Sequence, residues 1–104
     1  MSDIDLHRDL IGQQGGRGAL NTPALLIDHD GLMRNIAAMA SFARAAGIAL
    51  RPHAKTHKSA AIAKLQIEAG ALGVCCAKLG EAEALAGEGV ESILITSPVV
   101  TPQA

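Results

Sequence analysis

The most informative stretch for chemistry is residues 51–58 (RPHAKTHK), which combine three formal cations with two imidazoles. The whole chain is nearly neutral, with nine Lys and Arg, ten Asp and Glu and a formal net charge of −1. A lysine close to other cations loses its proton more readily, and a neutral amine can attack an aldehyde and hold it as a Schiff base. Lys55 has cations on both sides and is the candidate nucleophile, whereas Lys58 is interpreted as a surface or helix-start residue.

Other interpretations of residues 51–58 stay open. A solvated basic loop is the plainest alternative. His53 and His57 could bind a metal, but their spacing places them on one face only in a helix, and no carboxylate lies between them. Nucleic-acid binding is disfavoured because the balanced charge attracts no polyanion and Phe42 is the only aromatic residue that could stack on a base. The sequence also lacks an apolar run of membrane-spanning length, so no membrane partner is expected.

Short apolar runs of strand length alternate with helical patterns, and these elements determine where residues 51–58 lie in the fold. The runs are residues 24–28, 48–50, 72–76 and 92–96. Apolar strands that are joined by helices indicate a parallel sheet with helices on its faces, so the predicted class is α/β. Two architectures fit: an open doubly wound sheet and part of a (β/α) barrel. The absence of a GxGxxG motif after any run weakens a dinucleotide-binding interpretation of the open sheet.

Three helices are predicted between the runs. The first has Asp30 as its N-cap and ends at Gly47, and its inward positions recur at spacings of three and four. These positions are Leu32, Ile36, Met39, Ala43 and Ala46. Ser59 is predicted to cap the second helix, which ends at Gly70 and turns Ile62, Leu65 and Ala69 inward. The third covers residues 81–86 and turns Ala82, Leu85 and Ala86 inward.

Ligands of both architectures bind at the carboxyl ends of the strands. Besides residues 51–58, this edge should include residues 77–78 and 96–97, where Lys78 could approach a cofactor or a substrate carboxylate. Cys75 and Cys76 are expected to be buried strand residues, and they match neither a CxxC motif nor a zinc-ligand spacing, which suggests a reducing, cytoplasmic location. The glutamates of the last helix, Glu81, Glu83 and Glu88, are expected to form a solvated face.

The chain has 104 residues, 49% of them apolar, which is enough for one small domain. Residues 1–21 are predicted to be a flexible leader without the apolar region of a secretory signal, and residues 22–104 the ordered part.

Two stretches within residues 22–100 carry a family resemblance. They are TPALLIDHDGLMRNIAAMASFARAAGIALRPHAKTHKS and GVCCAKLGEAEALAGEGVESILITSPVV. Both resemble the start of the D-threonine aldolase and D-serine dehydratase family, which are pyridoxal-phosphate enzymes with an alanine-racemase-type (β/α)8 barrel. The resemblance implies that Lys55 carries the cofactor as a Schiff base and that His53, Thr56 and His57 line its surroundings. It also implies that residues 48–52, 72–76 and 92–96 are the first three barrel strands.

The same resemblance assigns residues 24–28 to a strand of a second, β-rich domain. A complete barrel takes roughly 250 residues, so residues 22–104 are expected to be an incomplete barrel domain and the chain a fragment of a larger enzyme. The resemblance further implies that full-length members form homodimers and use a divalent metal, for which no ligand is assigned among the present residues.

The implied reaction is lysis of a D-β-hydroxy-α-amino acid. In the D-threonine aldolase branch the Cα–Cβ bond breaks and gives glycine and an aldehyde; in the D-serine dehydratase branch elimination gives pyruvate and ammonia. Two further alternatives remain open: a non-catalytic pyridoxal-phosphate-binding remnant, and a small α/β interaction module that pairs through an exposed strand.

Overall fold

A computed structural model describes residues 3–102 and confirms a mixed helix and strand fold. Its elements in chain order are α1 (Asp3–Leu6), two 3-10 turns (Arg8–Leu10 and Gly16–Ala19), α2 (His29–Ala46), α3 (Ala60–Glu68), β1 (Val74–Cys76), α4 (Leu79–Gly87) and β2 (Ile93–Ile95). The predicted leader thus contains short helical turns, and its flexibility stays a prediction. None of the described helices is long and apolar enough to cross a membrane.

The two strands confirm the parallel pairing that the sequence predicts. Val74 of β1 lies opposite Ile93 of β2, and the register continues to Cys76 opposite Ile95. Helix α4 lies between β1 and β2 in the chain and connects them as the crossover helix of a β-α-β unit. The carboxyl ends of both strands therefore lie at the same edge of the sheet.

Residues 50–54 run parallel to β1 on its other side but do not form the regular strand predicted for residues 48–52. The amide of Leu72 donates to the carbonyl of Leu50 (2.9 Å), and the amide of Cys75 donates to that of Pro52 (2.8 Å). Between these two bonds the first segment advances by two residues and the second by three, so the register is irregular. In addition, Pro52 has no N–H to donate. These two irregularities reduce the pairing to one isolated bridge, between His53 and Cys75.

Residues 24–28 do not form the predicted strand in the structure of residues 3–102. Their hydrophobic side chains are exposed, up to 96% for Leu25. A strand is stabilised by the backbone groups of a neighbour, and no segment of the described chain pairs with these residues. The assignment of this segment to a strand of a second, β-rich domain stays a prediction.

Helix α2 begins two residues earlier than predicted. Asp28, not Asp30, is its N-cap and accepts the amide of Gly31 (3.3 Å), and the helix ends as predicted at Gly47, whose φ is 68°. Of the predicted inward positions, Ala43 is buried and Leu32 and Ile36 are half-buried. The inward prediction is wrong for Met39, which is 52% exposed, and for Ala46 because α2 contacts the rest of the fold through a narrow strip.

The core lies between α3, α4 and the sheet. Ser59 caps α3 as predicted and accepts the amide of Ile62 (3.2 Å). The fully buried residue of α3 is Ala63, while Ile62 and Leu65 are half-buried. Helix α4 is longer than predicted and buries Ala82 and Leu85, but it leaves Ala86 exposed. The core cluster is Ala54, Ala63, Val74, Cys76, Ala82, Leu85 and Val90.

Gly73 is required by a close approach at the start of β1. A Cβ at this position would collide with the carbonyl oxygen of Ser92 and lie 2.7 Å from a guanidinium nitrogen of Arg51. Both neighbours are fixed, because that guanidinium nitrogen also donates to the Ser92 carbonyl (2.7 Å). The segments could move apart to admit a methyl group at residue 73 only by breaking the hydrogen bond between Arg51 and Ser92.

Gly73→Ala should therefore destabilise the fold by about 2 kcal/mol, the usual cost of inserting a methyl group into a filled site. Gly80→Ala is the matched control: the site lies in α4 with no atom near the added Cβ, and alanine should be neutral or stabilising by up to ~1 kcal/mol. Urea unfolding followed by circular dichroism measures both changes. Equal unfolding midpoints for the Gly73→Ala variant and the parent chain would contradict the close approach.

Candidate functional site

The carboxyl edge of the sheet gathers three segments that the sequence predicts to lie together. Residues 53–58 follow the irregular segment beside β1, Lys78 follows β1, and Thr96 follows β2. A hydrogen-bond contact connects the first and third segments directly, because the imidazole Nε2 of His53 lies 3.4 Å from the hydroxyl of Thr96. This edge is the candidate site.

A tight turn positions Lys55 at this edge. Ala54 is buried, and its amide donates to the carbonyl of Cys75 (2.8 Å). The amide of Lys58 donates back to the carbonyl of Ala54 (2.8 Å), and Lys58 itself has a φ of 51°. The first bond fixes the backbone before Lys55 to β1 and the second closes the turn after it, while the side chains of Lys55 and Thr56 are exposed.

The structure gives the three cations of residues 51–58 different surroundings. The guanidinium of Arg51 donates to the carbonyl and the hydroxyl of Ser92, at the start of β2. The ammonium of Lys58 pairs with the carboxylate of Glu81 (3.0 Å). Within residues 3–102, no hydrogen bond or ion pair engages the ammonium of Lys55. The structure therefore separates the two candidate lysines by their partners, which the sequence could not do.

His53 connects the turn to both strands. Its Nδ1 accepts the backbone amide of Lys55 (3.2 Å), so the proton is assigned to Nε2, which then donates to Thr96. The Thr96 hydroxyl in turn donates to the carbonyl of Cys76 (3.2 Å). The hydroxyl of Thr56 donates to the carbonyl of His53 (3.4 Å) and tightens the same turn.

His57 lies in different surroundings from His53. Its Nδ1 accepts the amide of Ser59 (2.9 Å), and its Nε2 lies 3.3 Å from the side-chain oxygen of Gln66 on α3. The ring lines a groove between α2 and α3. The structure thus gives His57 a helix-start contact, and its predicted position beside the cofactor stays a prediction.

The prediction that Glu81 belongs to a solvated helix face is wrong. One carboxylate oxygen pairs with Lys58, and the other accepts the backbone amide of Ala77 (3.0 Å). The hydrogen bond from Lys58, followed by that from Ala77, holds the pKa of Glu81 below its ordinary value. The sequence did contain a signal for this contact with the backbone. A glutamate in the first turn of a helix commonly accepts a hydrogen bond from a backbone amide just before the helix.

The cysteines follow the predicted burial only in part. Cys76 is fully buried in the core, and Cys75 is half-buried with its Sγ 3.6 Å from the carbonyl of Arg51. Burial, and next the nearby carboxylate of Glu81, raise the pKa of the Cys76 thiol. Cys76 is therefore a core residue and no candidate nucleophile.

Metal binding receives no support from the arrangement of the described residues. Between residues 3 and 102, the structure contains no group of three or more His, Cys, Asp or Glu side chains that could hold an ion. His53 and His57, the spaced pair that the sequence offered, contact different partners.

Comparisons with known proteins identify relatives of the chain. The chain is 45% identical over 84 residues to the 3-hydroxy-D-aspartate aldolase of Paracoccus denitrificans and 41% identical over 83 residues to the D-threonine aldolase of Arthrobacter sp. It is 44% identical over 88 residues to the D-threo-3-hydroxyaspartate dehydratase of Delftia sp. (strain HT23). These matches cover 80–82% of the chain. No protein-family model matches the chain.

Solved structures give the same result for the fold. The crystal structure of the D-threonine aldolase from Filomicrobium marinum superposes with a TM-score of 0.77 at 46% identity, over 79% of this chain and 22% of that one. The H351A mutant of D-threo-3-hydroxyaspartate dehydratase superposes with a TM-score of 0.79 at 38% identity, over 95% of this chain and 25% of that one. The chain belongs to the D-threonine aldolase-like family.

This membership confirms the resemblance that the sequence predicts. The D-threonine aldolase-like chain spans about 22% of the length of the curated relatives it matches. The activities of those relatives therefore concern polypeptides several times longer than the residues described above.

Acidification should weaken this D-threonine aldolase-like fold through Glu81. Because the folded-state pKa of Glu81 is lowered, its contribution to stability is complete above the unfolded-state pKa and is lost as the pH falls through the folded-state value. The stability difference between the parent chain and Glu81→Gln should be largest near neutral pH. It should disappear well below pH ~4.3, the ordinary value for glutamate.

Thermal unfolding midpoints across this pH range measure the effect. Glu83→Gln is the control, since Glu83 lies exposed on the same helix and its removal should give a nearly constant difference. Parallel pH profiles for the two variants would show that the contacts of Glu81 do not contribute to stability.

Proposed function

We propose that this chain supplies the cofactor lysine of a pyridoxal-phosphate-dependent lyase that acts on D-β-hydroxy-α-amino acids. The observation that carries the proposal is the contrast between two neighbouring lysines. Lys58 is paired with Glu81, whereas Lys55 presents an ammonium without a partner, among the described residues, at the carboxyl edge of the sheet. The names of the relatives support the reaction class.

The residues at this edge fit such a cofactor. A covalent link needs an accessible amine on a fixed backbone, and Lys55 has both. In this proposal residues 50–54, β1 and β2 are the first three strands of a (β/α)8 barrel, whose active sites lie at the carboxyl ends of the strands. His53 and Thr56 line the cofactor, His57 lies further toward α3, and Thr96 holds the His53 ring.

Pyridoxal phosphate supplies an electron sink that stabilises negative charge on the substrate. The chain would supply the amine of Lys55 as the group that holds the cofactor through its aldehyde. It also supplies a histidine that is held at both ring nitrogens, so His53 presents one fixed orientation to the bound group. Lys78, exposed at the end of β1, is placed to attract a substrate carboxylate.

The aldolase reaction is the first candidate. Loss of the β-hydroxyl proton and cleavage of the Cα–Cβ bond give glycine and an aldehyde, as the names of the Paracoccus and Arthrobacter relatives suggest. Dehydration is the second, because the Delftia dehydratase is equally similar at 44% identity. In that reaction the α-proton and the β-hydroxyl leave, and a keto acid and ammonia result. Product analysis distinguishes the two.

Pyridoxal phosphate should attach to Lys55 in preference to the other lysines of the chain. Incubation with the cofactor, borohydride reduction and peptide mass analysis locate the modified residue, and near-visible absorption follows the attachment. Lys55→Arg should remove the specific modification. The chain contains Lys55, Lys58, Lys64 and Lys78, so the competing sites are few and can all be read.

Lys64→Arg is the matched control, because Lys64 is an exposed lysine on α3 away from the carboxyl edge. This variant should be modified at Lys55 as readily as the parent chain. Modification that is spread evenly over the four lysines, and that Lys55→Arg reduces only by its share, would refute the proposed site.

A further inference from the structure

Two backbone hydrogen bonds define the turn that carries Lys55, and one of them reaches the sheet. At its start, the amide of Ala54 donates to the carbonyl of Cys75. At its end, the amide of Lys58 donates to the carbonyl of Ala54. These bonds fix the entry to the turn, but the exit at Lys58 is fixed only to the turn itself.

The side chain of Lys58 connects this exit to the next element. Its ammonium pairs with one oxygen of Glu81, whose other oxygen accepts the amide of Ala77, directly after β1. Both distances are 3.0 Å. Together with the bond from Ala54 to Cys75, these contacts close a ring that runs from β1 through α4 and back to the turn.

The closing contact is well placed to control the turn. The Glu81 side chain is only 18% exposed and is held from both sides, whereas that of Lys58 is 64% exposed and reaches across to it. Lys58 also has a left-handed backbone, with φ of 51°, which is unfavourable for a residue with a side chain. Without its side-chain partner, this conformation has less to maintain it.

We propose that Glu81 and Lys58 are positioning residues that hold the Lys55 turn in place through the contact between their side chains. Neither residue reacts with the cofactor; each acts through the backbone that carries Lys55. The inference rests on the proposed function, since it assigns the ring of contacts to the site of cofactor attachment. Its structural part, control of the turn, can be measured without any cofactor.

Amide hydrogen exchange tests this structural part. Glu81→Gln removes the charge that faces Lys58 but retains an oxygen for the amide of Ala77. Exchange at the amides of Lys55 and Lys58 should become faster by up to about fivefold, the upper end of the range for an exposed ion pair. The amide of Val74, which donates to Ser92 in the sheet, should not change.

Three further variants complete the design. Glu83→Gln removes the same charge from an exposed position on the same helix and should leave all three amides unchanged. Lys58→Met should reproduce the effect of Glu81→Gln. Lys58→Arg keeps a cation opposite Glu81 and should therefore exchange as slowly as the parent chain. Equal acceleration at Val74, or no acceleration at Lys55 and Lys58, would overturn the positioning role.

Attachment of pyridoxal phosphate provides the second measurement. The cofactor concentration for half-maximal modification of Lys55 should rise by up to about fivefold in Glu81→Gln. It should equal that of the parent chain in Glu83→Gln and in Lys58→Arg. Faster exchange with unaltered attachment would show that the turn is held but that its position does not matter for Lys55, which overturns the proposal. If the parent chain is not modified at Lys55 at all, the proposed function fails, and the exchange result alone decides whether Glu81 and Lys58 control the turn.

Discussion

The backbone pairing between residues 52–54 and β1 determines where every group of the candidate site lies. Pro52 can only accept in this pairing, so the segment is held by its carbonyl and by the amide of Ala54. These bonds bring the following turn to the end of β1, where α4 begins and where Thr96 follows the adjacent strand. If this pairing moved by one residue, Lys55 would face the opposite side of the sheet.

Local signals in the sequence predicted what depends on local interactions. Ser59 as a helix cap, Gly47 as a helix end and the parallel order of the strands were all correct. The strand at residues 24–28 and the inward position of Met39 were wrong, because both depend on partners that a periodic pattern does not specify. The choice of Asp28 over Asp30 as N-cap is similar, since either carboxylate could accept an amide at the start of α2.

The candidate site was predictable in its location but not in its contacts. The cation-rich block at the end of a strand indicated the carboxyl edge, where the structure also places residues 53–58, and the family resemblance selected Lys55. The pairing of Lys58 with Glu81 joins residues 23 positions apart, and no sequence spacing predicts it. The aldolase and dehydratase relatives match this chain to a similar degree, from 41% to 45%. The shared segment therefore carries features that are common to both groups.

Arg51 and Lys58, the cations on either side of Lys55 in the sequence, form contacts that respond differently to dissolved salt. Lys58 and Glu81 form a contact between full charges that is partly open to water, and mobile ions screen such contacts strongly. Arg51 instead donates to the carbonyls of Val74 and Ser92, which are short-range dipolar partners at the start of both strands. Ionic strength can therefore loosen the lysine-bearing turn while the pairing of the strands beneath it persists.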